Sequence, residues 1–304
     1  MSIHDDIIAV ADTNSIEIGL AATQLESGET ITINGDASFP MASVFKIPIL
    51  ATAFHKLEQG FGSLDNRRTL LDEQKSTGSG ILPYFEAGLT PTWLDLITLM
   101  MIISDNTATD IVIEQLGGTQ IIENYMHEIR LSDIYFKMNC KDLLKTIFPE
   151  GAQDIPLEDL EAFIIENGFN RNSVAFDDGP DNNVSSASSM TRLLTMIFNA
   201  EIHDRKSSDD MLSILFKQQF NDRLPRFLPP GTKVAHKTGT IGGIRNDSGI
   251  FFIGDDNHVA VTLFTRWNDE EVWLQPEKEF ARVFEVETVM GRIGRLVYDH
   301  FDKS

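Results

Sequence analysis

The chain has 304 residues, of which 42% are hydrophobic, enough for one large domain or two intimate ones around a substantial core. Its 46 acidic residues outweigh 25 basic ones, for a net charge of −21. That balance argues against nucleic acid or anionic membrane surfaces as partners and fits a very soluble protein. The single cysteine, Cys140, excludes an internal disulfide. With no activating context around it, it reads as a buried structural thiol.

The first six residues, Met1 to Asp6, carry neither a basic n-region nor a long apolar h-region. No run of about 18 apolar residues appears, so no membrane span is expected. As written, the sequence predicts a cytoplasmic protein, or a secreted or periplasmic one if a signal peptide was removed.

Residues 3–12 read as a short helix. Residues 15–25 and 29–34 are apolar, β-favouring runs separated by Glu26-Ser27-Gly28, which predicts a β-hairpin. Phe39-Pro40 leads into a helix predicted over 43–58, with Pro48 early enough to be tolerated. Residues 61–91 are loop-rich and include the Gly/Ser segment Thr77-Gly78-Ser79-Gly80 before Ile81-Leu82.

The almost wholly apolar stretch 92–103 predicts a buried helix. Ser104-Asp105-Asn106 breaks it, and a second helix follows over 107–116, stopped by Gly117-Gly118. Residues 119–136 continue as helix and a short extended piece. Within 139–183, helices are expected at 142–148 and 157–166, and Asp177 to Asn183 forms an acidic loop. Further helices are expected at 188–200 and 207–219.

A short strand at 232–235 leads into His236-Lys237-Thr238-Gly239-Thr240. Strands at 248–253 and 259–267 are joined by the turn Gly254-Asp255-Asp256-Asn257. Three- and four-residue spacing of apolar positions predicts a long amphipathic helix over 276–301.

Strands at both ends with helices between predict an α/β architecture of two domains. Residues 1–40 and 220–304 would form a roughly five-stranded antiparallel sheet flanked by terminal helices. Residues 41–219 would form a helical domain, and the active site would lie in the cleft between them.

Ser43 and Lys46 stand three residues apart at the start of the 43–58 helix, on one face and about a turn apart. A serine hydroxyl is a poor nucleophile until a base takes its proton. A partly desolvated lysine beside other cations can be neutral and serve as that base. The helix N-terminus also offers backbone N–H groups to a developing oxyanion.

A Ser-x-x-Lys pattern alone is weak, expected about once by chance in a chain of this length. Two rarer tripeptides follow it in order, Ser104-Asp105-Asn106 and Lys237-Thr238-Gly239. Together the three resemble the active-site motifs of class A β-lactamases and penicillin-binding proteins.

The resemblance spans most of the chain, with 139–183 as an atypical insertion. It implies Ser43 as nucleophile, Lys46 as general base, and Ser104 as proton donor to the leaving group, with Lys237 adding positive potential. It also implies that Asn106 holds Lys46 and substrate, and that Thr238 and Thr240 offer hydroxyls to a substrate carboxylate. Arg245 would bind the same carboxylate, or else form a surface ion pair, and Ile81 and Leu82 would wall the site. The Ser43 and Thr240 N–H groups would form the oxyanion hole.

Class A enzymes deacylate with a glutamate in an E-x-x-L-N pattern. Here Glu166-Asn167-Gly168-Phe169-Asn170 has the spacing, with Phe for Leu. Glu166 is the candidate for that base. Otherwise the stretch is an ordinary helix end and Lys46 activates the water.

Ser104 or Asp105 also has a purely structural role open to it, as cap of the helix that follows. His236 could tune Lys237 or simply be a satisfied strand residue. The seven histidines show no metal-like grouping, and no phosphate-binding pattern appears, so neither metal nor cofactor is expected. The expected substrate is an anionic small molecule, and a monomer is assumed. The resemblance leaves three readings: a class A β-lactamase-type serine hydrolase, a cytoplasmic amidase, peptidase or esterase of the same fold, and a non-catalytic ligand-binding relative.

Overall fold

Both ends of the chain feed one sheet. A computed structural model describes residues 2–152, 155, 157–267 and 276–302. α1 (Ile3–Thr13) is capped by Ser2 and Asp5, and leads into β1 (Glu17–Gln24) and β2 (Thr30–Ile33). A short β3 (Ser38–Pro40) precedes a 3₁₀ turn at Ala42–Phe45 and α2 (Lys46–Glu58).

α3 (Trp93–Ile102) and α4 (Asn106–Leu116) flank the Ser104-Asp105 break, and Gly117 ends α4 in a left-handed conformation, φ 99°. α5 (Thr119–Glu128), α6 (Cys140–Ile147) and α7 (Leu157–Asn167) follow. Then come β4 (Val184–Ser186), α8 (Ala187–Phe198) and α9 (Arg205–Leu215). The chain closes with β5 (Lys233–Ile241), β6 (Ile244–Gly254), β7 (Asn257–Arg266) and α10 (Pro276–Phe301).

The main sheet has five strands in the order β2-β1-β7-β6-β5, all paired antiparallel. Period-two alternation sorts its side chains into two layers. Ile18, Leu20, Val259, Val261 and Leu263 face α1 and α10, where Val286, Met290, Ile293 and Val297 complete a buried layer. Burying each of these contributes on the order of 2 kcal/mol. Ala21, Ala260 and Phe264 face the other way, onto the larger core of α2, α3, α4 and α8. β5 lies at the sheet edge.

Three local features depart from the sequence expectations. The helix predicted over 43–58 opens as a 3₁₀ turn and becomes α-helical only at Lys46. The strand predicted to stop at residue 235 runs on to Ile241, because each residue pairs with β6, from Lys237 opposite Ser248 to Ile241 opposite Ile244. β3 and β4 form a second, two-stranded sheet pairing Phe39 with Ser185. Three-residue strands are too short to show alternation in sequence. Among the described residues no helix is long and apolar enough to cross a membrane.

Candidate active site

The turn that carries Ser43 is clamped on three sides. Met41 N donates to Asn183 O at 2.9 Å, just beyond the β3–β4 ladder. Asn246 Nδ2, on β6, donates to Pro40 O at 2.8 Å and Met41 O at 3.1 Å. On β5, a Cβ built on Gly239 would fall 2.7 Å from Met41 O and 3.1 Å from Ser43 N. Only glycine admits that approach, and it brings the backbone next to Thr240 beside the Ser43 N–H. Ala42 takes a left-handed φ of 45°, a strain of about 1 kcal/mol for a residue with a Cβ. The Ser43 hydroxyl makes no hydrogen bond among the described residues.

Lys46 opens α2 and is wholly buried. Its Nζ contacts Ser104 O at 2.7 Å, Ser104 Oγ at 2.9 Å and Asn106 Oδ1 at 2.9 Å. Asn106 Nδ2 donates to Thr77 O at 2.8 Å, which turns the amide oxygen toward Lys46. Two of the three Nζ partners are carbonyl oxygens that can only accept. They take two N–H bonds, and the Ser104 hydroxyl accepts a third from the charged form or donates to the lone pair of the neutral one. Burial lowers the Lys46 pKa, against the raising influence of Cys140, Asp110 and Asp105. Burial thus shifts Lys46 toward its neutral, basic form.

Ser104 turns its carbonyl and its hydroxyl onto Lys46 from a left-handed backbone, φ 60°. Asp105 caps α4 through Ala108 N at 2.8 Å. Its other oxygen accepts from Ile81 N at 2.7 Å and Leu82 N at 2.8 Å. Gly80 passes so close that a Cβ there would lie 2.3 Å from the Asp105 carboxyl. The capping role and the functional role thus coexist in this tripeptide: Asp105 ties the wall loop to α4, and its two neighbours hold the lysine. Leu82, expected against substrate, is instead 2% exposed in the core, while Ile81 is 47% exposed. A 3₁₀ turn at Leu82–Tyr84 sends the two neighbouring side chains in different directions.

Alternation along β5 puts Lys237 and Gly239 on the face toward Ser43, and Thr240 on the face toward α10. Lys237 is fully buried and donates to Thr238 O at 2.6 Å. Burial pushes its pKa well down, helped by Lys46 and Arg223 and opposed by Asp247. No hydrogen bond joins Lys237 to Ser104 among the described residues. His236 and Asp247 pair at 2.8 Å behind the strand, which makes His236 a satisfied strand residue.

Arg245 does not present a free guanidinium. It donates to Gly242 O at 2.7 Å and Ile244 O at 2.9 Å, stacks over Trp267, and lies 3.8 Å from Glu287. Burial and Arg223 lower its pKa to about 10. The cation that reaches the strand is Arg223, which sequence reasoning missed. It donates to Thr240 Oγ1 at 2.6 Å, Gly239 O at 2.7 Å and Asn246 O at 2.8 Å, and pairs with Glu287 through Nε and Nη2, each 3.4 Å from Oε1, so its guanidinium, like that of Arg245, is partnered within the protein. It stands in an irregular segment before β5, with no local motif to mark it.

Glu166 is not brought into this constellation. It lies in the last turn of α7 with an exposed side chain. Among the described residues it makes no hydrogen bond or ion pair with Ser43, Lys46 or Ser104. Asn170, the last residue of the same stretch, is tied to the end of α6 through Ile147 O at 2.7 Å and Thr146 O at 3.0 Å. A cavity of about 620 Å³ opens there, lined by Phe148, Phe169 and Asn170 among others. It includes none of the groups bonded to Lys46. No cluster of metal-ligating side chains occurs among the described residues.

Known proteins share this arrangement at low identity. The VEB-1 β-lactamase of Pseudomonas aeruginosa is 25% identical over 272 residues, covering 86% of this chain and 81% of its own. A β-lactamase structure from Chitinophaga pinensis superposes with a TM-score of 0.76 at 26% identity, covering 98% of each chain. A mutant of PBP-A, solved as an acyl-enzyme complex with penicillin G, gives a TM-score of 0.76 at 23% identity, covering 99% of this chain and 97% of that one. The fold is therefore that of class A β-lactamases, its sheet and helices arranged as expected. The model of the β-lactamase enzyme family matches residues 2–301, so the chain belongs to that family and is a serine hydrolase acting on amide bonds.

Proposed function

We propose that the protein opens the lactam or amide bond of an anionic small molecule through an acyl-enzyme on Ser43. The observation that carries this reading is the buried Lys46 centre, whose amine is held by Ser104 and Asn106 and shifted by burial toward its basic form. Lys46 takes the Ser43 proton as Oγ bonds to the substrate carbonyl carbon. The Ser43 and Thr240 N–H groups stabilise the oxyanion, and losing one such donor typically costs about 3 kcal/mol of transition-state stabilisation. The C–N bond then breaks as the leaving nitrogen takes a proton from Ser104. Lys46, 2.9 Å from the Ser104 hydroxyl, replaces that proton and is neutral again.

Arg223, bonded to Thr240 Oγ1 and paired with Glu287, is the cation we assign to the substrate's anionic group, with the Thr238 and Thr240 hydroxyls as its expected companions. A local cation is needed to receive an anion on a chain of net charge −21. Retention of the whole proton relay argues against a non-catalytic binder.

One observation favours a second reading within the same chemistry. Glu166 is exposed and bonded to none of Ser43, Lys46 and Ser104 among the described residues, so the water of deacylation falls to Lys46 itself. That arrangement suits an amidase-, peptidase- or esterase-like enzyme that acylates with penicillins and releases them slowly.

Intact-protein mass after mixing with benzylpenicillin, alongside the hydrolysis rate and with Ser43→Ala as control, tests both readings. A lasting adduct on Ser43 supports slow release. Rapid turnover without an adduct favours an efficient β-lactamase. Neither adduct nor turnover counts against a β-lactam substrate.

A further inference from the structure

The hydrolytic scheme makes no use of the imidazole and carboxylate buried behind the Lys237 strand. His236 and Asp247 have fully buried side chains, and Nδ1 of the imidazole sits 2.8 Å from Asp247 Oδ1. Each member of the pair has one further partner. Asp247 Oδ2 accepts from Leu224 N at 3.2 Å, and His236 Nε2 lies 3.2 Å from Asn221 Oδ1. Asn221 Nδ2 donates to Gln218 O at 3.2 Å, which turns the amide oxygen to the imidazole. Asn221 and Leu224 bracket Arg223.

That bracketing matters because Arg223 has no regular element under it. The chain between α9 and β5 forms neither helix nor strand, so its own backbone ladder cannot aim a long side chain. Thr240, Gly239, Asn246 and Glu287 hold the guanidinium itself, and the backbone beneath it is tied down at two ends. Gln218 Nε2 donates to Met101 O at 2.9 Å and Gln219 N to Ile102 O at 3.0 Å, at the end of α3 just before Ser104. The other end rests on the His236–Asp247 pair. The strap therefore joins the Ser104 wall to the Lys237 wall and carries Arg223 between its anchors.

We infer that the buried His236–Asp247 pair is a positioning device for Arg223, and through it for recognition of the substrate's anionic group. This rests on the reading of Arg223 given above. Neither residue touches substrate. Asp247 holds the backbone at Leu224 and His236 meets the side chain of Asn221, on either side of the residue that does. A displacement of about 1 Å in such a group can cost a hundredfold in rate.

The test compares acylation of Ser43 by benzylpenicillin and by its methyl ester, in which the anionic group is masked. Arg223→Gln should slow the acid by roughly a hundredfold and the ester by far less. Asp247→Asn should slow the acid about tenfold, through weaker binding rather than a lower saturating rate, and again spare the ester. Asn221→Ala, an exposed position that folding tolerates, should act in the same direction. General misfolding would slow acid and ester alike.

Hydrogen exchange of the Arg223 guanidinium, followed by ¹⁵N NMR in the full chain, gives a readout that needs no substrate. Protection should fall at least about tenfold in Asp247→Asn and Asn221→Ala. Unchanged protection in both variants overturns the inference. So does selective loss of the acid in Arg223→Gln with none in the other two, a result that leaves the reading of Arg223 standing. If Arg223→Gln treats acid and ester alike, the reading of Arg223 fails. If the wild type reacts with neither compound, the β-lactam reading fails. In both cases the exchange measurement alone decides whether the pair positions Arg223.

Discussion

Lys46 and Glu166 are the two groups a class A enzyme would use to move protons, and their surroundings here are opposite. Lys46 is completely buried, with three polar partners within 2.9 Å. Glu166 ends a helix with its carboxylate in solvent. The difference follows from what holds each one. Lys46 heads a helix in the middle of the large core, and two of its partners begin or precede α4, which packs on that helix. Glu166 belongs to a segment held to α6 by Asn170 and bordering its own cavity. Core packing thus fixes Lys46, and no bond among the described residues fixes Glu166 to it.

The harshest test of that contrast is Lys46→Met. Loss of a general base should cut acylation of Ser43 by roughly three orders of magnitude. The fold should persist, because the unpartnered Ser104 O and Asn106 Oδ1, at about 1–3 kcal/mol each, are offset by removal of a buried amine whose charged form burial penalises. Acylation within tenfold of wild type, measured by time-resolved mass spectrometry, would take the base role away from Lys46.

Lys237→Met should act on two quantities in opposite directions. Acylation by an anionic substrate should drop by about a hundredfold. Stability should rise, because replacing a desolvated charge with an apolar side chain is often favourable by about 1–4 kcal/mol. The pH dependence carries the sign. The folded pKa of Lys237 is depressed, so the folded state sheds its proton before the unfolded chain does, near pH ~10.4. Stability therefore rises with pH between the lowered folded value and that point. The variant should show a shallower rise in melting temperature across this window, and an unchanged slope would show that Lys237 is not the depressed group.

Much of this was legible because the chemistry is written in contiguous tripeptides. Ser104-Asp105-Asn106 and Lys237-Thr238-Gly239 keep their neighbours in sequence as neighbours in space. What was not legible depends on contacts between distant segments. Arg223 reaches Thr240 from an irregular segment with no periodicity. Arg245 sits beside Glu287 on the last helix, and nothing in the sequence near 245 foretells that. Leu82 and Ile81 are equally apolar, so only the local turn decides which one faces solvent. β5 extends past residue 235 because β6 supplies the ladder, a tertiary effect that outweighs the weak strand preference of glycine.

A milder test concerns the other end of the Lys46 helix. His203 Nε2 donates to Ala51 O, on α2, at 2.8 Å, and its Nδ1 is buried without a partner. Burial lowers the His203 pKa, against the raising effect of the Ala51 bond, and burial also lowers that of His55, stacked 4.1 Å from Tyr125. With folded values below the unfolded value of about 6.5, the unfolded chain binds more protons. Stability is then full above pH ~6.5 and falls as the pH drops through the folded values. Between pH 7.5 and 5.5 the melting temperature should fall by roughly a few degrees, and His203→Asn should remove much of the fall. If the slope survives, α2 is not the acid-sensitive element, and loss of activity at low pH is left to protonation of Lys46.

The smallest expected effect bears most directly on the contrast between Lys46 and Glu166. Glu166→Gln keeps the size of an exposed side chain and removes its charge. If Lys46 activates the deacylating water, the lifetime of the benzylpenicillin adduct should stay within about twofold of wild type, where loss of a true general base would lengthen it by roughly a hundredfold or more. An adduct that persists a hundredfold longer in Glu166→Gln would mean that α7 closes on Lys46 once Ser43 is acylated. The separation seen without substrate would then describe an open state. An unchanged lifetime would leave one lysine serving both half-reactions. In that case the pH dependence of release should follow that of acylation, since both would need the same neutral amine.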